Sequence, residues 1–131
     1  MADKLEGRAK EILEEPHYAV VSIPRDDGSV QAIVAWVHPD GDNLAVNSAE
    51  GRAWPANLRR AGKATITSMA TPYEWVSVAG TLEDDTHEGA EQHINELAHK
   101  YIGTDYPYLQ PGEQRIKFTL RPDRVTYVNQ G

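Results

Sequence analysis

A mainly β fold, a closed antiparallel barrel with peripheral helices, is what this sequence predicts, and three observations predict it. Short runs rich in Val, Ile, Thr and aromatic residues alternate apolar with polar positions, clusters of Gly, Pro, Asp and Asn separate those runs, and few segments carry helical periodicity. A parallel α/β sheet would instead place a helical pattern of roughly 10–15 residues between successive strands.

Taken in order, residues Asp3 to Glu15 set Leu5, Ala9, Ile12 and Leu13 at helical spacing before Pro16, which predicts a short amphipathic lead-in helix. HYAVVSI, the turn Arg25-Asp26-Asp27-Gly28 and SVQAIVAWV then predict a hairpin. A second turn spans Pro39-Asp40-Gly41-Asp42-Asn43, and Leu44 and Val46 mark a third strand ending near Asn47. In SAEGRAWPANLRRAG, Pro55 suits the first turn of a helix and Gly62 its left-handed C-terminal cap. KATITSMA and YEWVSVAGTL follow as strands four and five around Thr71-Pro72, with Gly80 at a bulge or close backbone approach. Asp85-Thr86-His87-Glu88 has capping-box spacing, and Ala90, Ile94, Leu97, Ala98 and Tyr101 form the apolar stripe of a third helix that ends before Gly103. After a loop rich in Tyr, Pro and Gly, RIKFTL and RVTYV alternate as strands on either side of Arg121-Pro122-Asp123. The expectation is six or so strands and three helices in one domain, residues 1–131, with no linker and no internal repeat.

At 131 residues the chain can bury one core but cannot hold separate cofactor and substrate domains, so a deep ligand site calls for a second copy. A net charge of -7 and a pI near 5.1 oppose binding to nucleic acid or anionic membranes, which relies on a positive field. Without cysteine there is no disulfide, thiolate nucleophile or Cys-ligated metal. The five histidines, His17, His38, His87, His93 and His99, show no i,i+3 or i,i+4 pair, so no metal site is expected. Nucleophile-elbow, GxGxxG and P-loop patterns are lacking, which leaves hydrolase, Rossmann and P-loop readings without support. Met-Ala-Asp-Lys-Leu-Glu carries no apolar secretion signal, and no stretch is long enough to span a bilayer, so a cytoplasmic location is expected.

One local feature runs against the overall acidity. From Gly51 to Tyr73 the chain carries Arg52, Arg59, Arg60 and Lys63 and no acidic residue. Helical spacing lets these side chains share a face, and guanidinium groups beside open N–H groups at a helix start bind phosphate by charge-assisted hydrogen bonds. The alternative is a solvated helix that merely carries arginines.

The run NSAEGRAWPANLRRAGKATIT, followed by WVSVAGTLEDD, resembles the pyridoxamine 5′-phosphate oxidase-like split-barrel superfamily. Asn47 and Ser48 end a strand, Arg52 opens the helix, Asn57-Leu58 and Arg59-Arg60 follow, and Gly62-Lys63 stands where that family often has Pro-Arg. The resemblance extends more loosely from Tyr18 through Gly80-Thr81 to Val128, and it is greatest to the actinobacterial flavin/deazaflavin oxidoreductases that use coenzyme F420 rather than FMN.

This resemblance implies a six-stranded antiparallel split β-barrel of the FMN-binding type, working as a homodimer with the cofactor in a groove at the subunit interface. It implies that Arg52, Asn57, Arg60 and Lys63 hold the cofactor phosphate, with Asn47 and Ser48 at the strand end beside them. Many relatives carry lysine two residues after the arginine; Trp54 stands there, as a wall for the ring system or as ordinary packing. Trp75 falls where relatives contact cofactor or partner, and Trp36 reads as core or dimer contact. The implied activity is hydride transfer from reduced F420 to an electron-poor double bond of a small organic acceptor, with Ser48 and Tyr73 as candidate proton donors and no catalytic residue assigned. Two alternatives stay open: an FMN-dependent enzyme of the pyridoxamine-phosphate oxidase type, and a non-enzymatic protein that binds flavin, F420 or haem.

Overall fold

In the computed structural model, which describes residues 2–130, the expected hairpin forms from β1 (Ala19–Pro24) and β2 (Val30–Ala35), after helix α1 (Gly7–Glu14). The chain continues through β3 (His38–Asp40), β4 (Asn43–Ala49), α2 (Ala53–Ala61), β5 (Lys63–Thr71), β6 (Glu74–Thr86), α3 (Ala90–Ile102) and β7 (Arg115–Asn129). All strand pairs are antiparallel, in the order β2-β1-β5-β6-β7-β4-β3. Inward residues of β1, β4, β5, β6 and β7 meet in a single apolar cluster with α1 residues Ile12 and Leu13 and α2 residue Leu58. Phe118 is its largest fully buried side chain.

Seven strands form, against six or so expected, because the run Val30–Asp40 yields two strands, with β3 at His38–Asp40 where a turn is predicted from Pro39. It breaks at Trp36-Val37, and its halves lie at opposite ends of the strand order. Three residue steps separate Ala35 from His38, so the two margins of the sheet are tied within about 11 Å. That covalent tie curls the sheet into a barrel. The bend is held from outside: Val37 N donates to Tyr101 Oη at 3.2 Å, and Lys100 Nζ donates to Val37 O at 2.6 Å.

Three further expectations are corrected. Arg121-Pro122-Asp123 does not divide one strand from another. The register slips by one residue opposite Ala79/Gly80, so Asp123 bulges out and β7 runs on. Gly80 allows this close approach, since a Cβ would lie 3.0 Å from Arg121 O and 3.3 Å from Leu120 Cβ. Helix α1 begins at Gly7 rather than Asp3 because Asp3 secures the bulge, its carboxylate accepting from Val125 N at 2.9 Å. The capping box at Asp85–Glu88 does not form: β6 runs to Thr86, and Gly89 caps α3 with φ 73° and no side-chain bond.

Helix α3 packs outside the barrel on β4 and β7. On the opposite side, a row of facing residues crosses five strands, Val34, Val20, Thr67, Ser77 and Thr126, and beside it lie Ala32, Ser22, Thr65 and Ala79. These side chains are small or β-branched, Arg124 faces Ala79 at the end of the second row, Lys63 borders it, and Val34 is 71% exposed. Among the described residues no helix is long and apolar enough to cross a membrane.

Candidate functional site

A cleft of about 270 Å³ opens along β2, the strand at one end of the sheet order. Ile33, Val34 and Ala35 of β2 and Trp36 just after it line it with Tyr18. Arg52 and Trp54 enter from the start of α2, Ile94 and Leu97 from α3, and Tyr106 and Tyr108 from the loop before β7. Asn47 and Arg115, neighbours in the β4–β7 ladder, complete the lining.

Aromatic contacts order this wall. Trp36 stacks on Tyr101 with centroids 5.4 Å apart and planes at 7°, Tyr18 stacks on the same ring at 5.7 Å, and Tyr106 meets Trp36 edge-on at 6.2 Å. Tyr101 is fixed by its hydroxyl, which donates to His17 O at 2.8 Å. The Arg115 guanidinium lies over the Tyr106 ring at 4.9 Å.

The polar side of the cleft is a connected network. Arg115 Nε donates to Asn47 Oδ1 at 2.9 Å, and Nη1 pairs with Glu113 at 3.3 Å. Asn47 Nδ2 donates to Ala90 O at 2.9 Å and lies 3.0 Å from His93 Nδ1. His93 is pushed down to about 4 by burial and by the Lys117 charge, so its ring is neutral. Arg52 reaches Glu113 only at 3.8 Å, is half exposed, and sits at the N-cap of α2, where no side chain caps the helix. An uncapped helix start beside an unsaturated guanidinium suits an anion.

The residues singled out from sequence fall in different places. Asn47, Arg52 and Trp54 come together in the cleft, Trp54 also packing on Phe118 at 5.6 Å. Ser48 does not join them: it follows Asn47 in a strand, so it turns inward with Leu44 and Val46, fully buried and with its hydroxyl unpartnered. Arg60 is engaged by Asp26, Pro24 O and Asn57, and Asn57 also binds Gln31, which ties α2 to the β1–β2 hairpin. Arg59 turns to Glu50 and Asp85. The arginines of α2 therefore diverge rather than share one face. Lys63 borders a separate open depression with Ser22, Thr65, Ala79 and Asp123, on the outer face that carries Val20 and Val34. Trp75 pairs with Met69 and Val128 across the sheet, and Tyr73 is exposed at the β5–β6 turn.

Sequence reading missed Arg115, Tyr106 and Tyr108. Alternation in RIKFTL marked Arg115 as solvent-facing, yet its side chain is 3% exposed. The one signal was the density of tyrosine in the loop before β7.

No protein-family model matches this sequence, and no curated protein sequence matches it. Solved structures do. A protein described as an F420 reductase superposes with a TM-score of 0.82 at 21% identity, over 92% of this chain and 98% of that one. The FAD and heme binding protein from Mycobacterium smegmatis gives 0.72 at 16%, over 95% of this chain and 71% of its own. A candidate pyridoxamine 5′-phosphate oxidase from Listeria innocua gives 0.68 at 18%, over 92% and 94%. At these identities the likeness establishes the fold, a split β-barrel of the pyridoxamine 5′-phosphate oxidase-like type. Proteins of this fold described as binding or using F420, FAD and haem surround the chain.

Proposed function

We propose that this chain binds a flavin-type redox cofactor, coenzyme F420 in first place, along the aromatic cleft, and acts as a reductase on a small electron-poor acceptor. The observation that carries the reading is the pairing, in one cleft, of an aromatic wall with a guanidinium at an uncapped helix start. Trp36, Trp54 and Tyr106 give a ring system an apolar, water-excluding surface, while Arg52 and the first N–H groups of α2 attract a phosphate. These residues fit such a group. When bound, a reduced deazaflavin supplies the hydride; this chain contributes position and dryness, and solvent supplies the proton.

A volume of about 270 Å³ is small beside the roughly 300–1,000 Å³ of cofactor sites, so one protomer builds only a portion of the pocket. The outer face of small and β-branched residues begins at Val34, which also lines the cleft. We infer that two copies pair through this face and complete each other's site. Lys63, which lies on that face, is then positioned to serve the shared groove.

The test is an absorbance and fluorescence titration of the purified protein with F420, FMN and haem in separate arms, followed by addition of an enone acceptor to the reduced complex. Saturable F420 binding with acceptor-dependent reoxidation supports the reading. Tight FMN binding without response to F420 makes it a flavin enzyme, and binding without turnover makes it a carrier.

A further inference from the structure

On the far side of Asn47 from the aromatic cleft, a second hollow of about 160 Å³ lies between β3, β4, β7 and α3. Hydrogen bonds fix which protons its histidines present. Because Arg115 donates to Asn47 Oδ1, the Asn47 amide turns its NH₂ group to His93 Nδ1, which therefore accepts and leaves the ring proton on Nε2. Lys100 Nζ donates to Leu13 O and Val37 O at 2.6 Å and to His38 Nδ1 at 3.3 Å, so His38 also carries its proton on Nε2. Burial holds both imidazoles below their ordinary value, and Lys100 is lowered only to about 8, so at neutral pH the rings are neutral and the ammonium charged. Lys100 has no proton left to offer. Lys117 does, since among the described residues its ammonium meets Asp40 alone, at 2.9 Å. His93 is 8% exposed, and its Nε2 has no protein acceptor.

We propose that this hollow binds a small monocarboxylate, whose oxygens accept from Nε2 of His38, Nε2 of His93 and the free protons of Lys117. Its volume is that of roughly five waters, enough for an acid of a few carbons. Asp40 and Glu96 line the same hollow and repel a dianion, which selects a single negative charge, and they can accept from a hydroxyl on the acid.

Long-range ¹H–¹⁵N NMR of the histidine rings in the full chain tests this, with titrations of sodium lactate, inorganic phosphate and sodium chloride at matched ionic strength. Lactate is expected to shift Nε2 of His38 and His93 along one saturating curve. Lys117→Met should weaken binding about tenfold, the loss of one charge-assisted hydrogen bond, and Asp40→Asn should tighten it by releasing Lys117. Lactate shifts no larger than those from chloride overturn the proposal, as does phosphate binding more tightly than lactate. Should Lys117→Met fail to fold, the lactate and chloride arms on the unaltered protein decide it.

Discussion

Asn47 Nδ2 stands 3.0 Å from His93 Nδ1 with both amide protons committed, so a second proton on the His93 ring has no place to go. The buried imidazole consequently titrates at about 4 in the native state, against an ordinary 6.5. Between those values the unfolded chain binds a proton that the folded one does not, so stability falls with falling pH there and is unaffected above pH 6.5. The loss is about 3 kcal/mol at pH 4. Urea unfolding at pH 7 and pH 4.5 measures it, and His93→Gln should flatten the dependence.

Arg115 is buried beside Glu113, bonded to Asn47 and stacked over Tyr106. Arg115→Met leaves the carboxylate of Glu113, 12% exposed, with only the distant Arg52. A destabilisation of about 3–5 kcal/mol is expected by chemical denaturation, the cost of breaking a buried charge pair from one side.

Arg52→Ala should weaken cofactor binding by about 1.5–3 kcal/mol, the worth of a charge-assisted bond to phosphate. Arg60 is engaged by Asp26 and Asn57, so Arg60→Ala should leave affinity nearly unchanged. Paired F420 titrations of the two variants separate these outcomes. Equal losses would show that the α2 arginines act together after all.

Val20 faces Val34 and Thr67 across three strands of the outer face. Val20→Glu should convert a dimer to a monomer without unfolding it, since Val20 is 39% exposed in the single chain. Sedimentation velocity reads the state, and an unchanged mass would place the interface elsewhere.

Gly80→Ala sets a Cβ against backbone at Arg121 and should destabilise by about 1–3 kcal/mol. Thermal or urea unfolding checks it.

The barrel was legible because each strand alternates and each turn carries its own punctuation, as in Arg25-Asp26-Asp27-Gly28. What escaped was set by distant partners. SVQAIVAWV reads as a strand to Val37 and Pro39-Asp40 as a turn, but Lys100 and Tyr101 bind Val37 from α3 and the chain pairs again at once as β3. The candidate site was half legible. The basic stretch in an acidic chain pointed to Arg52 and the family resemblance to Asn47 and Trp54, and the structure brings these three to one cleft, whereas it engages Arg60 with Asp26 of a hairpin turn. Arg115 lay hidden because alternation reports which face a residue takes, and says nothing of a helix that later covers that face.

Strand β2 pairs on one side only, and the aromatic cleft lies along it. Where the barrel fails to zip, a rail of peptide groups is left beside the cleft. Recognition borne by main chain outlasts the exchange of side chains: the walls of such a slot can be rewritten for one guest after another while its hydrogen-bonding edge stays the same.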